Sequence, residues 1–461
     1  MQIFNTLTGK KETFAPLEEG RVGMYTCGPT VYQNVHIGNL RTFVFQDILR
    51  RLLLARNYQV RHVMNITDVD DKTIRNAGEA GQSLADYTRV YKQRFLDDIE
   101  TLRIQMPEVM PCATEHIPEM VQLVEQLHDK ELTYGSDGSI YFRIDRFPGY
   151  GRLSRIDPEN LKPGLRSDQE EYDKENPRDF VLWKAARDGE PAWDTSIGRG
   201  RPGWHLECSA MSMKYLGQSF DIHCGGVDLI FPHHENEIAQ SEGATGQPFV
   251  KYWVHCEHLF VEGEKMSKSA GNFYTLQHLL DRGFDPRVLR YLLFSVHYRK
   301  QFNFTFEGMR QVERALQRIS DFLVRVREAA RGENHPEIPP LVKRAREEFE
   351  ASLDDDLNVP TALGAIFDLV RNGNSLLDRA AISPSDLEEI ELFLRECDQI
   401  LDVLPLERVQ TMEAEVQKLL DERLAARQRR DFRESDRIRD LLCERGIIVE
   451  DTRDGMRWKR K

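Results

Sequence analysis

The 461-residue sequence holds no apolar run approaching the roughly 20 residues that a bilayer-spanning helix needs, so a helical membrane protein is excluded. Its opening, Met1-Gln2-Ile3-Phe4-Asn5-Thr6, has no apolar stretch of the signal-peptide kind, and a cytoplasmic protein without membrane contact is expected. Cysteines are few and scattered, at positions 27, 112, 208, 224, 256, 397 and 443. An odd number without paired spacing argues against a disulfide framework and for reduced thiols, some of them free to bind a metal. A basic excess is also missing. With a net charge of −13, any polyanionic partner must be met by local patches rather than by the field of the whole protein. No internal repeat or low-complexity tract is present. The balance of 40% hydrophobic and 30% charged residues is that of an ordinary globular protein, and the length asks for about three or four domains.

What is present has a clear order. Val22 to Cys27 reads as a strand, followed by a Gly-Pro turn. From Asn39 to Arg56, Phe43, Ile48, Leu49, Leu52 and Leu53 recur at helical spacing, and Tyr58 to Ile66 returns to strand character. Strand, loop, helix and strand at this spacing predict a βαβ unit of a Rossmann-type, doubly wound parallel sheet in an α/β protein. From Pro111 to Gly203, turn-rich segments interrupt short strands, which reads as an inserted region of mixed structure. After Asp285 the pattern is almost wholly helical, with Val312, Leu316, Ile319, Leu323 and Val326 on one face and Ser383-Pro384 starting a later helix. Near the end, a helix with Val416, Leu419 and Leu420 leads to an arginine-rich one that should stop at Gly446. Ile447-Ile448-Val449 and Met456-Arg457-Trp458 then flank an Asp-Gly turn and predict a hairpin.

Three constellations carry chemistry. Gly28 to Asn39, with His36-Ile37-Gly38-Asn39 at its end, joins the first strand to the following helix. That is the sheet edge at which ligands bind and where a helix N-terminus offers amides to phosphate. Taken alone, His-x-Gly is equally a structural turn. Far downstream, Lys265-Met266-Ser267-Lys268-Ser269 offers two cations and two hydroxyls that could grip a triphosphate, although a solvated basic loop has the same composition. The third is a possible metal site: Cys27, Cys208, and the pair His233 and Glu237, four apart and on one face if helical. Spacing does not single these out from His205, His223, Cys224, His234 and Cys256. The acidic runs Asp68, Asp70, Asp71 and Asp354, Asp355, Asp356 read as helix caps rather than metal ligands.

The first two constellations resemble the paired signatures of class I aminoacyl-tRNA synthetases, His-Ile-Gly-His and Lys-Met-Ser-Lys-Ser, with Asn39 standing in place of the second histidine. Asn65-Ile66-Thr67-Asp68-Val69-Asp70-Asp71-Lys72, Phe180-Val181-Leu182-Trp183-Lys184, Gly203 to Ser209 and Phe231 to Glu237 resemble the cysteinyl-tRNA synthetase family in particular, and the likeness runs the length of the chain. It implies a catalytic fold over residues 1–110 and 204–260, split by a connective insertion at 111–203. A linker with the lysine loop (261–308), a helical bundle (309–403) and an anticodon-binding module (404–461) would follow.

By the same resemblance, Cys27, Cys208, His233 and Glu237 would hold one zinc ion per chain. His36, Lys265 and Lys268 would serve catalysis. His36, Gly38, Asn39 and Lys268 would contact ATP and its Mg²⁺, and Gly28, Thr67 and Trp204 would border the amino-acid pocket. ATP, L-cysteine and the tRNA for cysteine are the implied partners, and a monomer is expected. Arg423, Arg427, Arg429, Arg430, Arg433, Arg437 and Arg439, read as one helix, and the tail Arg457, Lys459, Arg460, Lys461 could track RNA phosphate, although Glu434, Asp436 and Asp440 allow a salt-bridged surface instead. Two other readings compete: a cysteine ligase acting on an amino sugar, which would not need the last sixty or so residues, and a catalytically silent RNA-binding paralogue, which would be expected to lose ligands or lysines.

Overall fold

Strand Phe220–Gly226 is buried at every position, the mark of a parallel strand covered on both faces. It lies inside a four-stranded sheet ordered Val250–Cys256, Phe220–Gly226, Arg21–Thr26, Gln59–Met64, with all neighbours parallel. Parallel pairing needs crossovers, and helix Ile37–Ala55 makes the first of them. Phe43, Ile48, Leu49, Leu52 and Leu53, the periodic positions of the sequence, are all in its buried set. Asn57, at φ 63°, stops the helix and turns the chain into Gln59–Met64. The fold is therefore the doubly wound α/β class expected.

The computed structural model describes residues 1–157, 178–267, 271–429, 431–452 and 455–460. The chain divides into two units. The first comprises Met1–Glu313, Lys343–Asp368 and Glu396–Val403. Besides the parallel sheet it contains a five-stranded antiparallel sheet ordered Thr133–Ser136, Ser139–Phe142, Phe180–Ala185, Gly198–Pro202, Trp193–Thr195. Phe142 stacks on Phe180 at 4.9 Å between ring centres, and both join Leu123, Trp183, Leu206 and Met211 in one core. Asp71 ties this sheet to the helix Asp71–Glu79 through Lys184 and Arg201. A three-stranded sheet places Leu259–Val261 between Glu264–Lys265 and Phe302–Phe304.

The second unit comprises Arg314–Val342, Leu369–Arg395 and Leu404–Lys461. Ile319, Phe322, Leu323 and Val326 form its buried stripe, and Gly373 gives the Phe322 ring room that a Cβ, only 2.7 Å away, would take. Ser383 and Asp386 cap helix Pro384–Leu401 reciprocally. At the C-terminus, helices Leu406–Gln428 and Phe432–Glu444 and the hairpin Ile447–Thr452/Gly455–Arg460 enclose Val416, Leu420, Ile438, Leu442 and Ile447. Gly446, at φ 75°, provides the stop expected there.

Two details differ from the sequence reading. Of the arginines assigned to one helix, Arg423 and Arg427 lie on Leu406–Gln428 and Arg433, Arg437 and Arg439 on Phe432–Glu444, because Asp431 caps a new helix by accepting the Glu434 amide at 3.1 Å. Arg429 caps the first helix, and Arg430 lies outside the described residues. Arg423 is buried and leaves the exposed basic face. Of the acidic runs, Asp70 caps its helix through Thr73, whereas Asp68 accepts from Thr114, and Asp356 gathers Phe4, Tyr298 and Arg299.

Candidate metal and nucleotide site

Cys27 follows the strand Arg21–Thr26, Cys208 lies on helix Trp204–Leu216, His233 lies in the tight turn Ile230–His234, and Glu237 stands in the first turn of helix Glu235–Thr245. The fold buries all four, at 8%, 0%, 1% and 0% exposure, with one donor atom from each within 4.8 Å of the others. Cys27, His223, His234 and Glu237 form a second grouping at the same distance. Hydrogen bonding separates the two. His223 Nε2 is engaged by Glu237 Oε2 at 2.9 Å, and His234 Nε2 by Cys27 Sγ at 3.4 Å. His233 Nε2 and Glu237 Oε1 face each other at 3.1 Å as an ion pair, and neither makes a well-aligned hydrogen bond, although both are buried. Two buried ligand atoms without an aligned hydrogen bond, grouped with two sulfurs, suit a soft-to-borderline divalent cation.

The four groups set one another's protonation. Burial raises the Cys27 thiol well above its usual range, and Cys208 beside it adds to that. Burial would raise Cys208 too, but its contacts with Cys27 and His233 bring it down to about 6. Burial disfavours a charged Glu237, yet His223 and His233 outweigh it and lower the carboxyl to about 2. His233 is raised to about 10 by Cys208 and Glu237 against the burial cost. The surrounding acids favour a proton on His233, which a bound cation would displace. Thiolates, imidazole and carboxylate in this number fit zinc.

The surrounding motif is densely used. His205 Nδ1 meets His233 Nδ1 at 2.8 Å, which orients the ring and leaves Nε2 inward. His234 Nδ1 meets His255 Nε2 at 2.8 Å, and His255 Nδ1 meets the Thr6 hydroxyl at 2.8 Å. Glu235 accepts the amides of Gly151, Leu153 and Ser154, and Asn236 accepts the Tyr150 hydroxyl, so the same helix turn anchors the insertion. Sequence reasoning treated His205, His223 and His234 as rival ligands. In the fold they lie in hydrogen-bond contact with that set, His205 with His233, His223 with Glu237 and His234 with Cys27, which spacing along the chain does not reveal.

A cleft of about 220 Å³ opens from Cys27, with Gly28, Tyr32, His36, Asn39, Lys72, Trp204 and Asp228 in its walls. Trp204 lies over the His233 ring at 4.1 Å. A Cβ at Gly28 would lie 1.8 Å from the Asn65 carbonyl oxygen, so only glycine fits. Thr67 is buried behind this wall, accepting from Asn65 Nδ2 and donating to Glu207 Oε2, each at 3.1 Å. Tyr32, Lys72 and Asp228 were not singled out from sequence, although Tyr32 and Lys72 lie in quoted motifs and Asp228 lies beside one.

At the other end of the cleft, His36 caps helix Ile37–Ala55. Its Nδ1 accepts the amides of Gly38 and Asn39 at 3.1 and 3.2 Å, and Asn39 Oδ1 accepts the His36 amide at 3.2 Å. Burial lowers the His36 pKa, and two amide donors on Nδ1 leave the proton on Nε2. His36 is therefore a neutral Nε2–H donor at the helix N-terminus. Asn39 completes the reciprocal cap.

The lysine loop comes to the same place. Ile37 donates to the Tyr274 carbonyl at 2.9 Å, the His36 ring meets Phe273 edge-on at 5.2 Å, and Met266 Cε lies 3.2 Å from where a Gly38 Cβ would stand. Asn272 closes the loop, accepting from the Ser267 amide at 2.8 Å and donating to the Lys265 carbonyl at 3.2 Å. Lys265 is exposed at the end of its strand, and Lys268 lies outside the described residues.

Similarity to known proteins runs along almost the whole chain. Residues 13–314 match the family described as tRNA synthetases class I (C) catalytic domain, residues 348–406 a DALR domain, and residues 410–458 a cysteinyl-tRNA ligase anticodon binding domain. The cysteine–tRNA ligase of Solibacter usitatus is 49% identical over 100% of both chains, and that of Brachyspira hyodysenteriae 48% identical over 100% of this chain and 99% of its own. Among solved structures, Mycobacterium tuberculosis methionyl-tRNA synthetase with methionyl-adenylate shares the fold at a TM-score of 0.63 and 16% identity, covering 85% of this chain and 93% of that one. With its catalytic family matched across most of its length and relatives near half identical from end to end, the chain belongs to the cysteine–tRNA ligase family of class I aminoacyl-tRNA synthetases.

Proposed function

We propose that the protein activates cysteine with ATP and transfers it to its tRNA, with the substrate thiol recognised at a zinc ion held by Cys27, Cys208, His233 and Glu237. The observation that carries this reading is the buried pair His233 Nε2 and Glu237 Oε1, without an aligned hydrogen bond and grouped with two sulfurs, one of which, Cys27, lines the cleft that His36 also lines. Bound there, zinc would supply a position that favours a thiolate over the serine hydroxyl, a distinction that shape alone makes weakly, at about 10²-fold.

The chain's own residues do the rest. Gly28 keeps the backbone close at the pocket wall, and Trp204 covers it from the side of His233. The cysteine carboxylate oxygen attacks the α-phosphorus of ATP, which travels with Mg²⁺. The bond to the bridging oxygen breaks and pyrophosphate leaves. His36 Nε2–H, the helix amides, Lys265 and Lys268 stabilise charge on the phosphates. The terminal ribose hydroxyl of tRNA then attacks the carbonyl carbon, and AMP leaves. No protein nucleophile is needed, so positioning and electrostatics dominate. Residues 404–461 would bind the anticodon. Among the described residues no helix is long and apolar enough to cross a membrane, and we place the protein in the cytoplasm.

Cysteine-dependent ATP–pyrophosphate exchange, followed by charging of tRNA against an amino sugar as acceptor, tests the reading. Absence of exchange would leave a silent paralogue, and an amino-sugar product would make it a different ligase.

A further inference from the structure

Arg41 stands on the helix capped by His36, little more than a turn beyond it, and its side chain is 1% exposed. Its Nη1 donates to the carbonyls of Glu257 and His258, each at 2.7 Å, and its Nη2 to Lys300 at 2.6 Å and His297 at 3.4 Å. The Phe302 ring lies 5.4 Å from the guanidinium carbon. Among the described residues no carboxylate pairs with it. Burying a cation among carbonyls alone is costly, and an apolar residue would pack a helix against a sheet more cheaply. The carbonyls it gathers explain the choice. Glu257 and His258 directly precede Leu259–Val261, the central strand beside Glu264–Lys265, which runs into the lysine loop. Lys300 and Phe302 root the flanking strand Phe302–Phe304.

We propose that Arg41 is a positioning residue for adenylate formation, tying the roots of the lysine-loop sheet to the helix of His36 and so setting the separation between His36 and Lys265. This rests on the reading of His36 and the lysine loop as phosphate contacts. The planar fork is essential to it. A lysine ammonium in its place keeps the charge but does not span four carbonyls.

The test is Arg41→Lys against Arg50→Lys. Arg50 lies on the same helix and is also buried, but bonds the carbonyls of Gln105 and Met106 and the carboxylate of Glu108, away from the loop. For Arg41→Lys, kcat for cysteine-dependent pyrophosphate exchange should fall about 10-fold or more, since small misplacements of reacting groups are expensive. The KM for cysteine and the zinc content should hold, because the metal pocket is untouched. Arg50→Lys should lower the melting temperature and leave kcat in place. If Arg41→Lys does not fold, Phe302→Leu, which removes the ring beneath the guanidinium, should lower kcat in the same direction with cysteine KM held. Exchange within about twofold of the parent in whichever variant folds overturns the proposal. So does a fall in kcat that Arg50→Lys matches at equal loss of melting temperature. A parent enzyme without exchange would overturn the phosphate-contact reading itself, a result distinct from both.

Discussion

His223 Nε2 lies 2.9 Å from Oε2 of Glu237, while the other oxygen of that carboxylate, Oε1, has no hydrogen-bond partner. One oxygen is held and the other is presented, the usual division between a ligand and the group that orients it. His223→Leu should therefore weaken zinc binding about 10- to 100-fold without removing a ligand. Competition against a chromophoric chelator measures this. Unaltered affinity would mean that Glu237 is oriented by something else.

Cys208→Ser should lose zinc and cysteine affinity together, from a parent with about one zinc per chain. In a cobalt-substituted parent, added cysteine should produce a thiolate-to-metal absorption band. A protein that activates cysteine without that band does not coordinate the substrate's sulfur. If Cys208→Ser keeps its metal, the grouping of Cys27, His223, His234 and Glu237 is the next to examine.

Lys268→Ala should slow adenylate formation by about 10²-fold or more while retaining zinc and fold, because the lost cation acts mainly on the transition state. Pyrophosphate exchange at the parent rate would remove Lys268 from the chemistry.

Truncation after Pro405, which removes the helix Leu406–Gln428 whole together with the small core around Val416, Ile438 and Leu442, should spare cysteine activation and weaken tRNA charging. Unaltered charging by the folded, shortened protein would contradict an anticodon role. Equal loss of both activities would point to a folding role.

Asp71 faces Lys184 at 2.7 Å, and Arg201 on its other oxygen. Burial opposes its charge, but the two cations prevail and lower the carboxyl to about 2. A depressed folded-state pKa stabilises the fold above the unfolded value, and this contribution is lost as pH falls from about 4 towards 2. Denaturation midpoints of the parent should drop more steeply across that window than those of Asp71→Asn. Since the carboxylate is more than half exposed, the difference should shrink in high salt. Parallel curves would show that Asp71 contributes nothing through its charge.

Patterns confined to a few neighbouring residues could be read from the sequence. The strand–helix–strand start followed from apolar periodicity, the stop at Gly446 from glycine's left-handed backbone, and the two signature loops from their short motifs. Each depends on local sterics or on a helix face, so the chain carries it without reference to its other parts. Residue type alone did not resolve the arginines. Arg423 is buried, and Arg427 and the trio Arg433, Arg437 and Arg439 fall on different helices, because a cap at Asp431 and packing around Ile438 decide which side faces water. Nor did spacing distinguish the histidines. His223 comes from a central strand, His205 from one helix and His233 from the turn before another, and only their convergence on Glu237 and Cys208 makes one a candidate ligand and the others its supports. The same holds for Arg41, whose carbonyl partners lie far along the chain. The sequence determined the elements and their signatures; the packing of distant segments decided which side chains share one buried volume, and burial sets their charge and partners.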